Sequence, residues 1–258
     1  MILTDAELER YARQVVMPEI GEAGQKKLLD SHVLIIGAGG LGSPVISALA
    51  GAGIGHLTVI DDDHVDLTNL NRQTIHTMDG LNRSKARSAY DFVQKINPDI
   101  KVSFEHVRFE LPYAEQLIAD KSLVVDCTDT PQTRYLVNDL CYRFSVPLVF
   151  GGAVRTDGQI TSFIPEDQNS PCLRCVFPQT ELDYDQAPSC ASAGILGPTT
   201  MVIGALQAQE AIKILAGFGQ PLKGRLVLYD GLNSSFMEIK TAKDPDCPVC
   251  ALRAQNKK

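Results

Sequence analysis

Short uninterrupted apolar runs alternate along the first half of this chain with longer stretches of helical spacing. Val33-Leu-Ile-Ile36, Leu57-Thr-Val-Ile60 and Leu123-Val-Val125 are each bounded by polar or glycine-rich sequence. Runs of that length without polar alternation fit strands covered on both faces, as in a parallel sheet. Strands are expected at 32–36, 57–61, 101–106 and 122–126. Helices are expected from Ser43-Pro44, over 82–96, over 112–119 and from Pro131, a good first helical residue. Ahead of them, Thr4-Asp-Ala-Glu7 has the form of a capping box and predicts a helix to about Val16, followed by a short helix over 24–29.

The pattern changes after Pro147. Strands at 148–154 and 159–163 flank Thr156-Asp157-Gly158, which reads as a hairpin turn. A long helix over 198–216 and strands at 225–229 and 235–240 complete the chain. The expected fold is α/β, a Rossmann-like, mostly parallel sheet continued by antiparallel strands. We read 1–258 as a single unit: N-terminal helices over 1–30, a nucleotide-binding half over 31–150 and a second half over 151–258.

Composition narrows the function classes. At 258 residues and 44% hydrophobic the chain can bury a full core. Its net charge of −7 argues against broad binding to nucleic acid or to an anionic membrane. The apolar stretch from Pro198 is interrupted by Gln207, Gln209, Glu210 and Lys213, so it reads as a core helix rather than a membrane span. No basic and apolar leader is evident at the N-terminus, and a reducing cytoplasm is the expected compartment. There, paired cysteines point to metal or chemistry rather than disulfides.

The candidate chemistry starts at Ile36-Gly-Ala-Gly-Gly-Leu-Gly42. Gly37, Gly39, Gly40 and Gly42 lie between an expected strand and helix, with Asp61 at the end of the next strand. Glycines let backbone approach a ligand, the helix start offers free N–H groups to phosphate, and an acid at this spacing suits a ribose. On this motif alone NAD and ATP are equally good ligands.

Further residues gather at the same expected sheet edge. Asp61-Asp62-Asp63 would repel one another without a cation or sugar hydroxyls, and Asn69 and Arg72 can donate to phosphate oxygens. The plainer alternative is a loop with ordinary surface polars. Lys85 stands in the first turn of a helix, where the dipole disfavours a cation unless an anion is present. Asp129 either caps the helix from Pro131 or holds Mg²⁺ on a triphosphate. Arg13 is either a solvated charge or an arm that reaches a phosphate in a partner subunit.

Two C-x₂-C pairs, Cys172/Cys175 and Cys247/Cys250, predict a closed, structural four-thiolate zinc site that ties the tail to the hairpin region. Of the seven cysteines, Cys127 and Cys141 lie in apolar sequence and read as core. Cys190, in a polar stretch over 179–193, is a candidate exposed thiol and equally a bystander.

Taken in this order, the glycine loop, Asn69-Leu-Asn-Arg-Gln73, Lys85, Cys127-Thr-Asp129 and the two cysteine pairs resemble the ThiF/MoeB/HesA family, relatives of the ubiquitin-activating enzymes. The resemblance runs from about Tyr11 to Cys250. Gly24-Gln-Lys-Lys-Leu-Leu-Asp-Ser31, Cys190-Ala-Ser-Ala-Gly194 and Cys247-Pro-Val-Cys250 look most like thiamine-pathway members, with molybdopterin-pathway members next.

The resemblance implies ATP-dependent adenylation of the C-terminal Gly-Gly of a ubiquitin-like sulfur carrier protein, followed by sulfur from a persulfide donor. It further implies that Gly40 lies against the ATP phosphates, Asp61 binds the ribose, and Asn69, Arg72 and Lys85 contact the triphosphate. Asp129 would hold Mg²⁺, Arg13 would enter the neighbouring site of a homodimer, and Cys190 would be the loop thiol able to bond the carrier. Ala191-Ser192 follow Cys190 where the family often has charged or bulkier residues. An NAD-dependent oxidoreductase would use the glycine loop and Asp61 but leaves Arg72, Lys85, Asp129 and the cysteine pairs without a task. A non-catalytic nucleotide-binding scaffold would not need that polar set intact.

Overall fold

A computed structural model describes residues 3–178 and 193–251 and is organised by one eight-stranded sheet. Its strands are β1 (His32–Ile36), β2 (His56–Ile60), β3 (Lys101–Glu105), β4 (Leu123–Asp126), β5 (Leu148–Val154), β6 (Asp157–Phe163), β7 (Arg225–Asp230) and β8 (Ser235–Lys240). They lie in the order β3-β2-β1-β4-β5-β6-β7-β8. The first five pair in parallel, and β6, β7 and β8 are added antiparallel. The expected mixed fold is therefore present.

Alternation along β1 divides the core. Val33 and Ile35 pack on one face with Leu28, Val45, Ile46, Leu49 and Ile203; Leu34 and Ile36 pack on the other with Ile118, Val137, Phe150 and Phe163. The helices on the first face are α3 (Gly21–Leu29), α4 (Gly42–Ala52), α5 (Lys85–Ile96) and the long α9 (Gly197–Ala216). On the second are α6 (Tyr113–Ile118), α7 (Pro131–Phe144) and α8 (Leu173–Val176). Each fully buried Leu or Ile in these layers contributes roughly 1.5–3 kcal/mol. The chain leaves β1 toward β2 and returns across it to β4, so the crossovers part above the carboxyl end of β1, where open sheets of this kind bind ligands.

Helix α3 begins at Gly21 rather than 24, and three further boundaries differ from the sequence reading for local reasons. The Thr4 capping box forms, but the first helix is split into α1 (Asp5–Arg10) and α2 (Ala12–Val15). Tyr11 leaves the helical path because its ring is buried over Gly53 and its hydroxyl accepts from Asn97 Nδ2 at 2.9 Å. Helix α5 starts at Lys85 and not at 82. Asn82 has φ +65°, outside right-handed helix, and the Ser84 hydroxyl caps the Arg87 N–H. The hairpin turns on Arg155-Thr156, with Arg155 left-handed, so Asp157 and Gly158 already belong to β6.

In α9, Gln207 and Glu210 are buried and bonded: Gln207 Nε2 donates to the Asp126 carbonyl at 2.7 Å, and Glu210 accepts from Ser162 Oγ at 2.9 Å. Among the described residues no helix is long and apolar enough to cross a membrane.

Candidate nucleotide-binding site and cysteine cluster

The glycine loop bends under two steric constraints. Gly37 has φ +97°, and a Cβ there would stand 2.8 Å from the Cys127 carbonyl oxygen. A Cβ on Gly42 would lie 2.0 Å from the Gly37 carbonyl oxygen. Both positions require glycine, and the tight turn they allow directs the start of α4 at a cavity. The N–H groups of Gly39 and Gly40 have no partner among the described residues. They are the donors such a turn offers to an anion.

That cavity, of about 350 Å³, is lined by Gly37, Gly39, Gly40, Asp61, Asn69, Arg72, Lys85 and Asp129. Asp61, just past β2, accepts from the Ala38 N–H at 2.7 Å and the Asp63 N–H at 2.9 Å, so its carboxylate braces the glycine loop. Asp66 caps the following turn and donates its own N–H to Asn69 Oδ1, which leaves the Asn69 amide NH₂ as the donor for the cavity. Arg72 Nη1 donates to the Thr68 carbonyl at 2.9 Å and to Asn71 Oδ1 at 3.1 Å.

Lys85 is only 5% exposed, and its Nζ lies 2.5 Å from Asp63 Oδ2. The anion that a cation at this helix start calls for is therefore supplied in the first instance by the chain itself. Burial pushes the Asp63 carboxyl up, but the Lys85 ammonium and the His64 N–H outweigh it and hold it below the ordinary range.

Asp129 is exposed at the mouth of the cavity. The turn that carries it is built by Asp126, whose Oδ1 accepts from the Thr128 N–H at 2.9 Å and Oγ1 at 2.7 Å. Asp126 is fully buried, and burial raises its pKa. Burial likewise pushes the Cys127 thiol up, so this thiol beside the glycine loop is not activated; Cys127 and Cys141 are core residues as expected.

Arg13 is exposed on α2 and does not line the cavity. Cys190 lies outside the described residues.

Sequence reasoning missed several cavity residues. Gln73 is buried with an unpartnered Oε1, and its Nε2 lies 3.6 Å from where a Cβ on Gly39 would stand. Thr200 enters from α9. Arg134, in the first turns of α7, carried the same signal as Lys85, a cation near a helix start.

The four cysteines come together. Cys172 is the N-cap of α8 and Cys175 lies within it, and the tail brings Cys247 and Cys250 to them, with all four Sγ atoms within 4.8 Å of one another. The separations are 3.9 Å for Cys172–Cys175, 3.5 Å for Cys172–Cys247 and 3.4 Å for Cys175–Cys250. Four sulfurs each about 2.3 Å from one zinc ion would stand roughly 3.8 Å apart in a tetrahedron, so this set fits the ion. The neighbouring Cys250 thiol, hydrogen-bonded to Cys172, holds the Cys172 thiol below its ordinary range.

A mixed α/β sheet with a glycine-loop cavity at its carboxyl edge and a four-cysteine cluster defines the class. The chain belongs to the ThiF family, whose model matches residues 11–249. It is 42% identical to the molybdopterin-synthase adenylyltransferase of Salmonella typhimurium, over 96% of this chain and 98% of that protein. It is 41% identical to the sulfur carrier protein adenylyltransferase of Thermus thermophilus, over 96% and 92% of the two chains. In three dimensions it resembles E. coli MccB in a crystal structure with MccA-N7isoASN, with a TM-score of 0.82 at 24% identity, over 93% of this chain and 74% of that one.

Proposed function

We propose that this chain is a ThiF-type adenylation unit that adenylates the C-terminal glycine of a ubiquitin-like sulfur carrier protein, with ATP and Mg²⁺ as co-reactants. The observation that carries the reading is the gathering of Arg72, Lys85 and Asp129 around one glycine-loop cavity. Dinucleotide chemistry would need the loop and Asp61 but not those three. A carboxylate is already deprotonated at neutral pH, so the attack needs no general base. What it needs is relief from charge repulsion, because carboxylate and triphosphate are both anions.

In this reading Arg72 and Lys85 offset that repulsion and stabilise charge as pyrophosphate leaves. Asn69 donates to the phosphates, Asp61 takes the ribose hydroxyls, and Asp129 is the residue that would hold Mg²⁺. Arg13, exposed on α2 and outside the lining of its own chain's cavity, serves the neighbouring site of a homodimer. Cys190 is the thiol available for a covalent bond to the carrier. Zinc at Cys172, Cys175, Cys247 and Cys250 is structural. The acyl-adenylate is then open to a persulfide donor, a cysteine desulfurase or sulfurtransferase, and the setting is the cytoplasm.

The carrier is ThiS-like, of the thiamine thiazole pathway; the molybdopterin synthase carrier is equally consistent with the two similar relatives. ATP–pyrophosphate exchange measured side by side with both carriers tests the choice. Exchange with the thiazole carrier at least tenfold faster supports the first reading, and the reverse ratio replaces it by the second. Cys190→Ala is expected to retain exchange and to lose any covalent adduct.

A further inference from the structure

The nucleotide cavity does not end at Asp129. A second cavity, of about 580 Å³, continues outward over β5–β8 to Ser235 and Met237 and shares Asp129, Arg134 and Ala153 with the first. Four strands at about 4.8 Å spacing give a groove roughly 14 Å long, enough for about four extended residues.

Its lining includes the carboxylates of Asp129, Asp157 and Asp230, and among the described residues Arg134 is the one Lys or Arg side chain in it. A peptide ending in a carboxylate must pass these acids to reach an anionic triphosphate. Desolvated charge of one sign is costly unless a cation meets it on the way.

Arg134 is aimed for that task. Its Nε and Nη2 donate to the Thr128 carbonyl at 3.2 and 2.6 Å, and its guanidinium lies over the Phe150 ring at 5.1 Å. Held on one edge and one face, it keeps Nη1 toward Gly152 and the groove, with no hydrogen-bond partner among the described residues, although its charge also acts on the buried Asp126 carboxyl.

We infer that Arg134 receives the terminal carboxylate of the incoming carrier tail at the junction of the two cavities and orients it toward the α-phosphate. The inference rests on the adenylation reading and adds to it a contact. Nη1 donates to one carboxylate oxygen; the other attacks phosphorus. A C–O–P bond forms, the bond between the α-phosphorus and the bridging oxygen breaks, and its electron pair leaves with pyrophosphate. The retained oxygen becomes a neutral carbonyl, so Arg134 binds the free acid more strongly than the adenylated product.

The test is a four-way comparison of intact enzyme and Arg134→Ala against a Gly-Gly-ending ubiquitin-like carrier made as the free acid and as the C-terminal carboxamide. Binding is read with a non-hydrolysable ATP analogue present. For intact enzyme, amidation is expected to weaken binding roughly 10-fold, the scale of one charge-assisted hydrogen bond. In Arg134→Ala that ratio is expected to collapse to within about twofold, and turnover should show a raised KM for carrier with the KM for ATP little changed.

Equal binding of acid and amide by the intact enzyme, which needs no variant to fold, overturns the inference. So does an undiminished ratio in the variant, or a KM for ATP that rises in step, which would mean that Arg134 only shapes the Thr128-Asp129 turn. An intact enzyme that forms no acyl-adenylate with any such carrier overturns the adenylation reading, and this contact with it.

Discussion

Strands β1 and β8 belong to one sheet, yet four of five residues are buried in the first and none of six in the second. At the centre, apolar side chains fill both faces and the strands need nothing further to stay in place. Toward the far edge the covering thins, and Phe236, Met237 and Ile239 are open. The four cysteines lie elsewhere, within the buried core of the second face, where they bring α8 together with the tail that follows β8. The carboxyl edge of the parallel half carries the glycine-loop cavity, while the antiparallel half offers surface. Stability and chemistry are thus separable in this molecule.

The largest effect should come from breaking the four-cysteine junction. A structural zinc ion held by these four cysteines would supply on the order of 10 kcal/mol of folding energy. Cys247→Ser with Cys250→Ser, or chelation, is expected to abolish bound zinc and to strip amide protection from 225–251 while β1, β2 and β4 exchange far more slowly. Hydrogen-exchange mass spectrometry checks this, and uniform loss across the sheet would show that the two halves are not energetically distinct.

In the parallel half the reverse holds. Asp129→Ala, at an exposed position, is expected to lower exchange by roughly 10²-fold or more, the scale of one pre-organised electrostatic group, with Tm nearly unchanged. Lys85→Ala should lower exchange as much. Near-normal exchange in both variants would remove these residues from the site.

Gly42→Ala sharpens the comparison from the packing side. Its Cβ would collide with the Gly37 carbonyl, and the resulting shift should cost roughly 1–3 kcal/mol in denaturant unfolding. A cost near zero would mean that the turn is soft.

The smallest effect lies at the opposite end of the strands. His32 of β1 and His56 of β2 stack with ring centroids 3.6 Å apart. Burial first, and then the His56 charge with Lys121 and Lys101, pull His32 down to about 4 from 6.5, against a weaker pull upward from Asp120. Because the folded pKa is the lower one, the unfolded chain binds the extra proton. Stability is complete above about pH 6.5 and falls as pH drops toward 4, by about 1–2 kcal/mol once partial exposure is allowed for. His32→Asn should flatten the slope of Tm over that window, and an unchanged slope would exclude His32 as its origin.

These contrasts also mark what could be read before the fold was known. The central strands announced themselves because burial on both faces leaves an unbroken apolar run. Asp61 and Asp129 were visible because each lies within three residues of the end of such a strand, so one sheet edge collects them. The cysteine pairs were visible through spacing alone. What stayed hidden depends on tertiary approach. The Asp63–Lys85 pair joins a strand end to a distant helix start, and Thr200 arrives from α9 across the sheet. The break at Tyr11 follows from a tyrosine buried over Gly53, which no local helix signal contains.

The central claim is that the glycine-loop cavity transfers an adenylyl group to a carboxylate. Intact mass of a Gly-Gly-ending carrier, incubated with the enzyme, Mg²⁺ and ATP labelled at the α-phosphorus, tests it most directly. The account predicts one AMP, carrying the label, on the carrier's C-terminal glycine, with pyrophosphate released in equal amount. A carrier that stays unmodified, or that gains the γ-phosphoryl group instead, would contradict it.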